Sequence, residues 1–145
     1  MKWVGIAVAT LAALTAIVAI VGTQLPRDHV ASRTLRVRRT PEEVWPVVTR
    51  LMAASSVPTD IIEQDPPRRL VSRVKETERM FGGTWTVVSS ADRDGSTLTI
   101  TEDGWVANPI FRFVSRFVVG HHGTMDGILN GVAKELGEEP SLSGQ

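Results

Sequence analysis

Residues 3–25 run for 23 positions without a charge and are dominated by Ala, Val, Ile and Leu. At 1.5 Å per helical residue the run reaches about 34 Å, against about 30 Å of bilayer hydrocarbon. Such a segment crosses a membrane, is removed as a leader, or is buried as a core helix. A leader has an apolar stretch of about 7–15 residues ending on small residues. This run is longer, and Val21-Gly22-Thr23 makes a poor cleavage site. The reading is therefore an uncleaved single-pass anchor over residues 1–25, with the bilayer as partner of residues 3–25.

Lys2 lies on one side of the run, and Arg27, Arg33, Arg36, Arg38 and Arg39 follow it on the other. The positive-inside rule then places the following domain in the cytoplasm. Gly5, Ala9 and Ala13 form a small-residue stripe that could pair two such helices. From Pro26 onward, 15 basic and 16 acidic residues balance, which gives no electrostatic footprint for nucleic acid. The absence of Cys excludes disulfide scaffolds, thiol catalysis and Cys-ligated metal. His29, His121 and His122 lack paired ligand spacing, so neither a metal nor a cofactor is expected.

The polar part divides into a link at 26–31, a folded domain at 32–137 and a polar, frayed tail at 138–145. Residues 32–39 alternate, with Leu35 and Val37 opposite Arg36 and Arg38, as a half-buried strand requires. Thr40-Pro41-Glu42-Glu43 is a helix start: a capping Thr, Pro at the first helical position and Glu at the third. Residues 52–68, with Pro58 and Pro66-Pro67, read as loop or a very short strand. Strands are expected over 69–76, 84–90 and 96–106, with Phe81-Gly82-Gly83-Thr84 as a break or bulge. Asp94-Gly95 closes a hairpin between the last two. Trp85 and Val87 share a face, as do Leu98 and Ile100, and the two pairs should meet in the core. Asn108-Pro109 opens a final amphipathic helix over 110–136, with Ile110, Phe113, Val114, Phe117, Val118, His121, Met125, Ile128, Val132 and Leu136 on its apolar face. The class is α+β.

An apolar N-terminal segment followed by Thr40-Pro41-Glu42-Glu43-Val44-Trp45, Pro66-Pro67-Arg68-Arg69-Leu70-Val71, Phe81-Gly82-Gly83-Thr84-Trp85, Thr99-Ile100-Thr101-Glu102-Asp103-Gly104 and Asn108-Pro109 resembles membrane-tethered members of the SRPBCC superfamily. That group includes START lipid-transfer domains, relatives of the major birch allergen and polyketide cyclase/dehydrase-like proteins. The resemblance implies a helix-grip fold: a curved antiparallel sheet around one long C-terminal helix, with an apolar cavity between them. It also implies the order strand, two helices, six strands, helix. The stretch between the first helix and Pro66 is too short for that order, so one or two strands should be missing.

The resemblance implies a small hydrophobic, lipid-like ligand, with Trp85, Trp105, Phe113, Phe117, His121 and Met125 lining or bordering its site without catalysis. A cyclase- or dehydrase-like enzyme using His121 or Glu102 for proton transfer is the alternative. An interaction module with a degenerate cavity is another. Ser115 has no triad context. Gly120, Gly123, Gly127 and Gly131 form a stripe, read as close approach of sheet backbone, with docking of a ligand chain or of another helix, as in a homo-oligomer, as the rival reading.

Overall fold

Helix α1 (Lys2–Gln24) opens the computed structural model, which describes residues 2–75, 80–120 and 122–144. Its large apolar side chains from Trp3 to Ile20, Val18 excepted, are exposed. It is long and apolar enough to cross a membrane, and its most apolar window is not buried within the protein. Val18, Ala19 and Gly22 are the α1 residues that lose exposure; they recur at the three- and four-residue spacing of one helical face.

Strand β1 (Asp28–Val37) starts earlier than the alternation suggested, and Asp28–Ala31, read as a link, belong to it. His29 and Ala31 continue the inward face of Leu35 and Val37, but polar Asp28 and His29 carry no apolar signal. Helix α2 (Pro41–Ala53) begins with the expected reciprocal cap. Thr40 Oγ1 accepts from the Glu43 N–H, and Glu43 Oε2 accepts from the Thr40 N–H at 2.9 Å. Val44, Trp45, Val48 and Met52 form its buried stripe.

The cap yields an expected result. Thr40→Ala lowers stability by about 0.5–2 kcal/mol, read from the urea midpoint of Trp fluorescence in detergent micelles. The Thr40 backbone N–H, and then its hydroxyl, hold the Glu43 carboxyl below its ordinary value of 4.5. A lowered folded-state value means that this contribution is complete above the ordinary carboxylate range and is lost as pH falls through the folded-state value. The midpoint difference between wild type and Glu43→Gln therefore narrows on acidification; a constant difference would remove the cap from the account.

Strand β2 (Thr59–Asp65) is a seven-residue strand in a stretch read as loop. It is exposed on nearly every residue, holds the sheet edge and shifts register between Ile61 and Glu63, so it shows no two-residue period. It pairs with β3 (Arg69–Val74). Strands β4 (Phe81–Asp92) and β5 (Gly95–Val106) form the long hairpin, closing at Asp92 opposite Gly95. Phe81, Gly82 and Gly83 lie inside β4 in unbroken register with β5, so the expected break there is absent. Val87 lies directly opposite Ile100, and Ser89 opposite Leu98. The tail also departs from expectation. Glu138 accepts from the Arg38 N–H, and β6 (Leu142–Ser143) pairs with β1. The antiparallel sheet has the order β2-β3-β4-β5-β1-β6. Among the described residues, four strands separate α2 from the last helices, two fewer than the resemblance implies.

The continuous helix expected over 110–136 is broken. Helix α3 (Pro109–Val114) passes into a π-helical turn (Ser115–Val119), the chain breaks at Gly120, and α4 (Gly123–Glu135) follows. Gly120 has φ +76°, a left-handed conformation open to Gly and costly for other residues. Its amphipathic stripe continues across the break, and so periodicity did not reveal it. The two halves have different partners: α4 packs on α2 and β1, while α3 packs on α1.

Helices α2 and α4 cover the inner sheet face. Leu35, Val44, Val48, Leu98, Ile100, Met125, Leu129 and Val132 are fully buried between them. Gly123 and Gly127 face open space and Gly131 faces the Leu51 side chain. The expected approach of sheet backbone to this stripe does not occur.

Candidate ligand-binding site

The inner sheet face continues beyond the core towards the end where α1 joins β1. Three cross-strand rows define it. Trp85 lies opposite Glu102, which lies opposite Ala31; Gly83 lies opposite Gly104, which lies opposite His29; Phe81 lies opposite Val106. The middle row carries no side chain on two of its three strands, so it leaves a hollow. Gly83 is required there: it has φ +149°, and a Cβ would stand 2.4 Å from the Asp103 carbonyl oxygen. The His29 imidazole folds over Gly104, 3.0 Å from where that residue's Cβ would lie.

The broken helix roofs this hollow. Phe111, Val114 and Ser115 come from α3 and the π turn, and Gly120 and Thr124 from the break and α4. The result is a pocket of about 420 Å³, within the range of small-molecule sites. Its lining is mainly apolar; the sheet contributes the polar groups of His29, Glu102 and Trp85, and the roof those of Ser115 and Thr124. His29 Nε2 and Glu102 Oε1 are 3.6 Å apart, both largely buried. Trp85 is 2% exposed, and its indole N–H has no acceptor among the described residues. A buried donor without a partner costs roughly 1–3 kcal/mol, so a ligand oxygen placed there would be favoured. Trp105 is held between two elements: the Arg27 guanidinium lies 4.8 Å from its ring centroid, and a Cβ on Gly82 would stand 2.9 Å from its indole.

The residues named from sequence are therefore dispersed. Trp85, Trp105 and Glu102 lie on the pocket wall. Phe113 and Phe117 stack on each other at 4.9 Å and are absent from that wall, with Phe117 59% exposed. Met125 is fully buried in the core instead, because α4 begins beyond the break and turns its apolar face to the sheet. His121 lies outside the described residues. Sequence reasoning missed His29, Phe111 and Val114. For His29 the signal was its two-residue spacing from Ala31; for the other two, only the helix break reveals their orientation.

Solved structures share this fold. A conserved protein from Geobacillus kaustophilus has a TM-score of 0.61 at 13% identity, over 79% of this chain and 99% of its own. A protein from Rhodobacter sphaeroides has a TM-score of 0.55 at 14% identity, over 74% and 92%. The di-domain ARO/CYC StfQ of the steffimycin biosynthetic pathway has a TM-score of 0.52 at 12% identity, over 77% of this chain and 51% of its own. The chain has the helix-grip fold. No protein-family model matches the sequence, and no curated protein does. This helix grip differs from the expected form in its broken C-terminal helix, whose first half leaves the sheet to meet α1.

Proposed function

We propose that the protein holds a small hydrophobic, lipid-like ligand in the helix-grip pocket while α1 anchors it in a membrane, with the domain on the cytoplasmic side as the arginine-rich flank argues. One observation carries this reading: a largely apolar pocket of about 420 Å³ into which the sheet brings the polar groups of Trp85, His29 and Glu102. Burial of an acyl or polycyclic body at about 25 cal/mol per Å² would supply affinity. The Trp85 N–H would receive one oxygen of the ligand and fix its orientation. The test is native mass spectrometry of the full chain released from detergent micelles. Wild type is expected to retain one lipid-sized adduct. Val114→Trp, which fills the pocket from its roof, is expected to lose it. A bare wild type, or an adduct retained equally by both proteins, contradicts the reading.

The His29–Glu102 pair favours a second reading, proton transfer within the pocket, as in a cyclase- or dehydrase-like enzyme. A carboxylate beside an imidazole can hold or pass a proton at either Oε1 or Nε2. This reading expects a bound compound to change mass or structure in wild type and to stay unchanged in Glu102→Gln, with occupancy equal in both.

A further inference from the structure

The last turns of α1 do not end clear of the domain. Gly22 is buried against α3, where a Cβ would stand 1.9 Å from the Pro109 carbonyl oxygen. Val18 and Ala19, one turn earlier on the same face, are half-buried. An anchor of 23 residues only just exceeds the hydrocarbon thickness. Residues 18–22 must then lie within the membrane, and a segment packed beside them lies at the same depth. We propose that residues 109–118 enter the lipid leaflet next to α1, so that the pocket mouth opens onto acyl chains and the partner of this surface is a phospholipid leaflet. The proposal rests on the membrane reading of α1.

Three independent features support it. First, Ile110, Phe111, Phe117 and Val118 are all exposed on this short segment, with Val118 at 71%. Phe81 extends the same apolar surface around the base of α1: it lies opposite Val106, which donates to the Arg27 carbonyl. Contiguous patches of this kind mark an interaction surface.

Second, the backbone of the junction is satisfied internally, which lipid demands. Arg112 donates to the carbonyl oxygens of Val106 at 2.9 Å, Ala107 at 2.7 Å and Leu25 at 3.2 Å. Those carbonyls belong to the places where the chain leaves α1 and enters α3. The Asn108 side chain accepts from the N–H groups of Ile110 and Phe111.

Third, the rim carries interfacial chemistry. Arg27 and Arg116 line the cleft beside the end of α1, at the level where headgroup phosphates lie, and Trp105 sits beneath Arg27. Cations and indoles are the side chains that favour that layer. Phe111 and Val114 belong to both the segment and the pocket wall, so a ligand could pass between leaflet and pocket without crossing water.

The chain has no Cys, so single-cysteine variants can be labelled cleanly. Phe117→Cys, Leu14→Cys and Ile62→Cys in the full chain would each carry an environment-sensitive fluorophore in phosphatidylcholine/phosphatidylglycerol vesicles. Quenchers are phosphatidylcholine brominated near the headgroup or along the chain, and aqueous iodide. The label at 117 is expected to lose emission to the shallow bromolipid and resist iodide, while the label at 62, on the far sheet edge, does the reverse. If the label at 117 behaves like that at 62 while the label at 14 is quenched by deep bromolipid, the inference is overturned and the anchor stands. If bromolipid does not quench the label at 14, the anchor reading fails and takes the inference with it.

Discussion

Leu129→Ala is expected to lower folding stability by about 2–5 kcal/mol, the range for an emptied core site. Leu129 has no exposed surface and sits on α4 among the residues that α2 and the sheet enclose. Removing its side chain leaves a cavity between three elements that cannot collapse together without moving a helix. The control is Val118→Ser, which also removes an apolar side chain from the C-terminal helical region, but one that is 71% exposed. Its urea midpoint in detergent micelles, followed by Trp fluorescence, should match wild type, whereas that of Leu129→Ala should fall steeply. Equal shifts in the two variants would mean that the helix break does not separate a core half from a surface half.

Gly22→Leu has the second large effect, on geometry and not on core stability. Even the first added carbon would overlap the Pro109 backbone, and backbone cannot swing aside as a side chain can. The α1–α3 contact must open, and the Arg112 bond to the Leu25 carbonyl goes with it. The urea midpoint should stay near that of wild type, because neither α1 nor α3 contributes to the buried cluster. The reporter is a pair of spin labels on Ala13→Cys and Phe117→Cys, whose separation should lengthen and broaden in Gly22→Leu. A distance distribution unchanged from wild type would show that the joint does not depend on Gly22.

Much of the architecture was legible from local chemistry. The Thr40 cap, the β4–β5 hairpin at Gly95 and the Asn108-Pro109 helix start each follow from side-chain donors, acceptors and turn preferences within a few residues, and each occurs where expected. Strand β2 was not legible: an exposed edge strand shows no alternation, and its partner β3 supplies its definition. Nor was the extension of β1 through His29, because a strand that lines a pocket does not need apolar side chains.

The candidate site was legible only in part, for the same reason. Trp85, Trp105 and Glu102 sit on strands that sequence placed correctly, β4 and β5. Phe113, Phe117 and Met125 were assigned by projecting one uninterrupted helix. The projection fails twice: α3 packs on α1, and the helix breaks at Gly120, beyond which the direction of the chain is reset.

The sequence by itself determined the apolar helix, its length, the α+β class and the element starts set by the Thr40 cap, the Gly95 turn and Asn108-Pro109, since these depend on runs, caps and turns along the chain. The tertiary structure alone decided that α3 leaves the sheet for α1, that Gly83 and Gly104 align into a hollow, and that His29 meets Glu102. Each of these depends on register between segments far apart in sequence, and no local interaction energy records it.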